Sequence, residues 1–304
     1  MAPEDTTAVI CAKLEERGYR GAVLPIEHVA QLKHEIEERL SQKEIDAGLY
    51  ERYLTYFKFD VAASLPRIRS IIITAAPQPQ RKATFHFNGQ AYSGIIPPTY
   101  YHDTDKPITE ILQDILSSSG CQLHPVALPA KLLAVRSGMA EYGKNNIAYV
   151  EGLGSFLRLR AFLSDMPAGR SDWMEPRVMK ECDSCKACLK ACPTRAIVPD
   201  RFLIHAEKCI TFLNEGTEEF PEWVDPAWHN SLVGCMKCQL VCPVNKRFIK
   251  WVQEGESFNE AETGLILNGV PLDHIPPETA HKLNRSYMAE YLDVLPRNLR
   301  VLLK

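Results

Sequence analysis

The chain has 304 residues, 45% hydrophobic and 24% charged, a composition ordinary for a soluble globular protein long enough to fold as two compact domains. Its net charge of −3 excludes a global basic field for non-specific nucleic-acid binding, and no apolar run approaches the ~20 residues of a membrane span. The opening MAPEDTTAVICAKLEERGY has acidic residues where an export signal needs a basic region before an apolar core, so a cytoplasmic, soluble protein is expected.

Leu, Glu, Lys and Arg recur at three- and four-residue spacing over residues 5–18 and 27–57, which predicts amphipathic helices, with a short strand at 21–26 between them. The β-branched run Arg69–Ala75 predicts a buried strand. TFHF and QAYSGI flank Asn88-Gly89, a pair that favours positive φ at both turn positions and predicts a β-hairpin. Helices are expected over 107–119 and through LLAVRSGMAEYG, followed by strands in NNIAYV and SFLRLRAFLSD. The first 170 residues therefore read as one mixed α/β domain. From Asp172 the texture changes to frequent Cys and Pro, and after Cys242 the chain is expected to be irregular to about residue 276 and then helical.

Eight of the ten cysteines lie between Cys182 and Cys242, and clustered thiols in an intracellular-looking chain point to metal before disulfide. The first run is Cys182-x2-Cys185-x2-Cys188-x3-Cys192-Pro193. In this bacterial ferredoxin spacing, three thiolates wrap one 4Fe–4S cluster and the fourth crosses to a second. The second run, Cys235-x2-Cys238-x3-Cys242-Pro243, lacks its first ligand, and Leu232 stands in that place. Counting thiolates assigns Cys182, Cys185, Cys188 and the crossing Cys242 to one cluster. Cys192, Cys235 and Cys238 remain for the other, and Cys209 is the nearby thiol that completes it. The competing reading, two structural zinc sites, fits three cysteines in one x2 loop plus Cys-Pro poorly. Cys11 and Cys121 lie far off in apolar surroundings and are expected to act as buried hydrophobes.

The stretch from Arg136-Ser137-Gly138 through Tyr142-Gly143-Lys144-Asn145, with Gly154-Ser155 and Leu163-Ser164-Asp165-Met166-Pro167, resembles the segment preceding the ferredoxin module in epoxyqueuosine reductases and reductive dehalogenases. Ile68–Ile71, Tyr101-His102 and Cys209–Leu213 also resemble the epoxyqueuosine reductase pattern, so the likeness covers roughly residues 60–250. It implies an α+β chain: a nitroreductase-like corrinoid-binding domain over 1–170, a two-cluster module over 171–250, and an irregular, then helical segment over 251–304. It further implies base-off cobalamin, with the clusters feeding it electrons for reduction of a substrate. Gly138 and Gly143 would let the backbone approach a large planar cofactor, and Arg136, Lys144, Asn145 and His102 would bind it. The plain alternative for this motif is a glycine-bearing helix end and turn.

Two departures qualify the resemblance. Aligned without gaps backward from Ser137-Gly138, the family's catalytic aspartate falls on His124, which could donate a proton in its place; Tyr101 and Tyr142 complete the candidate catalytic set. The family's tRNA-gripping helical repeats have no room before Lys304, which argues against a tRNA substrate and for a small organic molecule or nucleoside. Two functions follow: a cobalamin-dependent reductase fed by a low-potential electron donor, or an electron-transfer protein serving a partner corrinoid enzyme with no substrate of its own.

Overall fold

The computed structural model describes residues 3–61, 65–169 and 173–304. Two compact units emerge, and they do not follow chain order: Met1–Pro77 with Asp103–Cys185, and Gln78–His102 with Lys186–Lys304. The predicted division at residues 170/171 and the texture change at Asp172 lie outside the described residues. Of the residues expected to form one domain over 1–170, Gln78–His102 group with the second unit.

The first unit begins with α1 (Pro3–Glu15), β1 (Arg20–Pro25) and α2 (His28–Ser41). The long helix expected over 27–57 stops at Ser41. Lys43 adopts a φ of 59°, its N–H bonds the Leu40 carbonyl, and the Glu44 N–H bonds that of Arg39, a left-handed exit that satisfies the last carbonyls. After β2 (Ser70–Pro77) the chain leaves for the hairpin β3 (Gln80–Phe87) and β4 (Gln90–Ile96) of the second unit. It returns with α3 (Asp105–Ser118), β5 (Leu123–Val126) and α4 (Ala130–Arg136). The helix expected through residue 143 also ends early. Gly138, at φ 76°, turns the chain into β6 (Ala140–Tyr142), which pairs with β7 (Ala148–Val150). β8 (Leu157–Ser164) closes a four-stranded antiparallel sheet of order β1-β2-β8-β5.

β2 runs through the middle of this sheet, and Ile71, Ile72 and Ile73 are fully buried, as a continuous β-branched run predicts. On one face Ile72 and Phe162 pack with Ile10 and Leu14 of α1 and Ile108, Leu112 and Leu116 of α3. Alternation along the strand sends Ile71 and Ile73 to the other face, and α4 contacts both β2 and β8.

In the second unit the Asn88-Gly89 turn has φ values of 51° and 72°, as the sequence predicts. The stretch expected to be irregular instead holds β9 (Val252–Phe258), which joins β3 in parallel. Its Phe258 ring stacks on Phe85 at 5.0 Å. Beyond α5 (Ala187–Ala191), α6 (Ile210–Glu215) and α7 (Lys237–Leu240), helices α8 (Glu260–Leu267), α9 (Pro277–Arg285) and α10 (Leu295–Leu302) complete the unit. Leu232, Phe85, Phe258, Leu283 and Leu299 share its core.

A capping box starts α8: Asn259 Oδ1 accepts from the Glu262 N–H, and Glu262 accepts from the Asn259 N–H. Thr279 Oγ1 and Lys282 Nζ of α9 also donate to Glu262, at 3.0 and 2.8 Å. Burial alone would raise the Glu262 pKa, but the hydrogen bonds from Lys282, Asn259 and Thr279 together outweigh it and hold it below the ordinary carboxylate value. A depressed carboxylate stabilises the fold above its unfolded pKa, and that contribution is lost as pH falls through the folded value. Glu262→Gln should therefore lower stability at pH 7 by about 1 kcal/mol and flatten the stability–pH curve below about pH 4.5, measured by urea unfolding. An unaltered curve would count against this role.

Candidate metal centre

The two cysteine runs fold alike. In the first, Cys182 closes a 3-10 turn, Cys188 is the second residue of α5, and Cys192 leaves the helix extended at φ −74°, ψ 108°. In the second, Cys238 is the second residue of α7 and Cys242 leaves it at φ −72°, ψ 123°. Pro193 and Pro243 dictate those exits, because a proline forces the preceding residue out of the helical region. Each last cysteine is thus turned away from its own loop, as ligand crossing needs. All ten cysteines are half-buried.

Cys209 stands at the start of α6, and the backbone N–H groups of Thr211 and Phe212 point at its sulfur. Burial pushes the Cys209 thiol up, and the nearby Cys192 adds to the rise. Burial likewise pushes Cys235 up to about 12, with Cys209 and Cys192 both contributing. Mutual influence of this kind falls off with distance, so Cys192, Cys209 and Cys235 share one neighbourhood within the second unit. Among the described residues no three His, Cys, Asp or Glu side chains converge on a single-ion site. Cys182 and Cys185 end the first unit, and the other five cysteines of the two runs, with Cys209, belong to the second.

A buried asparagine pair, not evident in the sequence, ties this neighbourhood together. Asn214 of α6 donates to the Gly234 carbonyl at 2.8 Å, beside Cys235. Asn298 of α10 donates to the carbonyls of Asn214 and Leu232, at 2.8 and 2.9 Å. Gly234 has φ 68°, and a Cβ there would fall 2.6 Å from the Tyr100 ring, so the residue before Cys235 must be glycine. Leu232, at the position where a ligand would be expected, is fully buried and packs over Gly94, where an added Cβ would come within 2.5 Å of it. The only hint in the sequence is the Gly-Cys dipeptide.

The other predicted site residues are divided between the units. In the first, Arg136 is saturated: it donates to Glu35 at 2.7 and 3.0 Å and to the Met174 carbonyl, and it pairs with Glu175. Asn145 is buried, donating to the Tyr149 hydroxyl at 2.9 Å. A Cβ on Gly143 would strike Asn145 Oδ1 at 2.4 Å and the Tyr149 ring at 2.7 Å, so that glycine serves the β6–β7 hairpin. Lys144 Nζ donates to the Asp183 carbonyl, and Gly138 is exposed. Tyr142 is buried, which raises its hydroxyl pKa, and its backbone bonds Arg177 and Met179. His124 is half-buried on the edge strand β5, opposite Leu163. In the second unit the buried Tyr101 hydroxyl donates to the Pro79 carbonyl, with the Arg81 guanidinium 4.3 Å over its ring. His102 lies 5.0 Å from the Tyr287 ring.

Residues 181–245 match the 4Fe-4S double cluster binding domain. The epoxyqueuosine reductase of Atelocyanobacterium thalassa is 28% identical over 204 residues, 64% of either chain. That of Bacillus subtilis is 32% identical over 154 residues, 48% of this chain and 38% of that one. The chain thus matches under two thirds of the length of these relatives. A solved structure of the Bacillus subtilis epoxyqueuosine reductase, with its catalytic aspartate loop swung out of the active site, superposes with a TM-score of 0.70 at 23% identity. It covers 99% of this chain and 81% of that one. An epoxyqueuosine reductase solved with a modified tRNA stem loop gives a TM-score of 0.69 at 21% identity, with the same coverage. The α+β fold is that of these enzymes, and no helix among the described residues is long and apolar enough to cross a membrane. The chain is thus similar to epoxyqueuosine reductases in sequence over part of its length and in fold, and its residues 181–245 match a 4Fe-4S double cluster binding domain.

Proposed function

We propose that this protein is a cytoplasmic, two-cluster iron–sulfur reductase that passes electrons one at a time to a base-off corrinoid for reduction of a nucleoside or small organic substrate. The observation that carries it is the shared neighbourhood of Cys192, Cys209 and Cys235, which with Cys238 supplies four thiolates for one 4Fe–4S cluster. Cys182, Cys185, Cys188 and Cys242 would hold the other. These residue types fit the group, since buried thiolates need a cationic core to offset their charge. The N–H groups aimed at Cys209 from Thr211 and Phe212, and at Cys235 from Lys237, would stabilise the more negative, reduced state and raise that cluster's potential. Low-potential electrons would come from a separate donor protein.

The corrinoid rests on the likeness alone. Arg136, Asn145 and Tyr101 are committed to internal partners, so they do not fit as its polar ligands, whereas Gly138 is exposed and Lys144, His102 and His124 are half-buried. His124 would deliver the substrate proton in place of the family's aspartate. The same internal commitments favour a second reading, in which the chain only relays electrons to a partner corrinoid enzyme. Anaerobic reconstitution with cobalamin separates the two: a stoichiometric base-off visible spectrum is expected, and a protein holding only iron and sulfide would overturn the corrinoid. With the substrate in hand, His124→Phe should lower turnover by about 100-fold; unchanged turnover would remove the proton-donor role.

A further inference from the structure

The turn that follows Cys242 plays no part in holding a cluster. The Asn245 N–H bonds the Cys242 carbonyl at 3.0 Å and the Phe248 N–H bonds that of Asn245 at 2.7 Å, so the chain winds tightly away from the proposed ligand. The buried Asn245 side chain donates to the Gln239 carbonyl of α7, and Gln80 of β3 donates to the Ile249 carbonyl, both at 3.0 Å. The segment is therefore anchored at both ends within the second unit and forms a fixed platform beside Cys242.

Its surface is both cationic and apolar. No Asp or Glu occurs from Pro226 to Gln253, a stretch that holds Lys237, Lys246, Arg247 and Lys250. The last three are exposed, and none of them pairs with a carboxylate among the described residues. The next acids along the chain, Glu254 and Glu256, are already held by Lys82 and Arg285, each at 2.7 Å. Arg247 lies 4.6 Å over the Phe248 ring, which is itself 6.1 Å from that of Trp251. Trp251 and Val252 are 39% and 42% exposed, and Val241, the residue before Cys242, is 42% exposed. Apolar side chains left at the surface among polar ones mark an interaction site, and the uncompensated cations call for an acidic partner. Exposed valines complement a protein surface; a phosphate backbone takes polar and charged contacts instead.

We propose that this platform docks an acidic one-electron carrier protein, which delivers electrons to the cluster assigned to Cys242; the proposal rests on the two-cluster reading above. In each transfer the reduced carrier loses one electron and the cluster gains it, with no bond made or broken. Anaerobic stopped-flow mixing of the cluster-loaded protein with pre-reduced plant-type ferredoxin, an acidic carrier, should give a reduction rate that falls roughly tenfold or more between ~0.01 M and ~1 M salt. The triple variant Lys246→Glu, Arg247→Glu, Lys250→Glu changes only exposed positions. It should keep the wild-type iron content and the wild-type extent of reduction by dithionite, yet react with ferredoxin roughly tenfold or more slowly at low salt. Equal rates for the two proteins, a wild-type rate indifferent to salt, no reduction by ferredoxin, or a short oligoribonucleotide whose binding alone is lost in the variant would each overturn the docking proposal. A wild-type protein without iron would overturn the two-cluster reading and this proposal with it.

Discussion

Cys209→Ala is expected to remove one cluster and spare the other, lowering iron from about eight to about four per chain. The sequence gives the second run one ligand too few, and the fold places Cys209 beside Cys192 and Cys235, with α6 backbone N–H groups directed at its sulfur. Losing that thiolate leaves three for a cluster that needs four. The set of Cys182, Cys185, Cys188 and Cys242 contains no residue changed by the substitution. Iron analysis with low-temperature EPR of the dithionite-reduced variant should show a single, magnetically isolated reduced cluster. An intact eight-iron count would mean that Cys209 is not a ligand.

Leu232 occupies the place where the missing ligand would stand, and its substitution should act on stability. It is fully buried in the core shared by Phe85, Phe258 and Leu299, its N–H bonds the Ile95 carbonyl, and its side chain fills the space that Gly94 leaves open. Leu232→Ala should cost about 2–5 kcal/mol through lost burial and the cavity left behind, read from urea unfolding. Because this side chain faces the core, Cys209→Ala combined with Leu232→Cys should remain at about four irons. Recovery of the second cluster in the double variant would show that the 232 position can reach it.

Local signals were legible where the chemistry is local. Asn88-Gly89 specified its turn, the 71–73 isoleucine run specified a buried central strand, and Cys-Pro specified both extended exits. Helix ends were harder. The apolar period continues past Ser41 and Arg136, and only the left-handed backbone at Lys43 and Gly138 stops those helices; the lysine gives no sign of it in the sequence. Non-local pairing was hidden altogether. β9 is polar and carries a glycine, so it reads as irregular, and it becomes a strand because β3 offers it a parallel edge and Phe85 a stacking partner. The same pairing accompanies residues 78–102 into the second unit.

The candidate site divides along similar lines. Cysteine spacing carries the cluster assignment because a cubane takes four thiolates, three of which one short loop can supply while the fourth crosses from the other run. The corrinoid expectation rests on a motif, and a motif does not reveal that Glu35 already holds Arg136 or that Tyr149 already holds Asn145. Asn214 and Asn298 gave no signal, since an isolated polar residue in a sequence does not announce that it is buried.

The eight-cysteine assignment is tested most directly by iron and acid-labile sulfide analysis of the anaerobically reconstituted wild-type protein, with Mössbauer spectra of the iron-57 form. The expected result is about eight of each per chain, all as 4Fe–4S clusters; stoichiometric zinc without iron, or about four irons in the wild type, would contradict it.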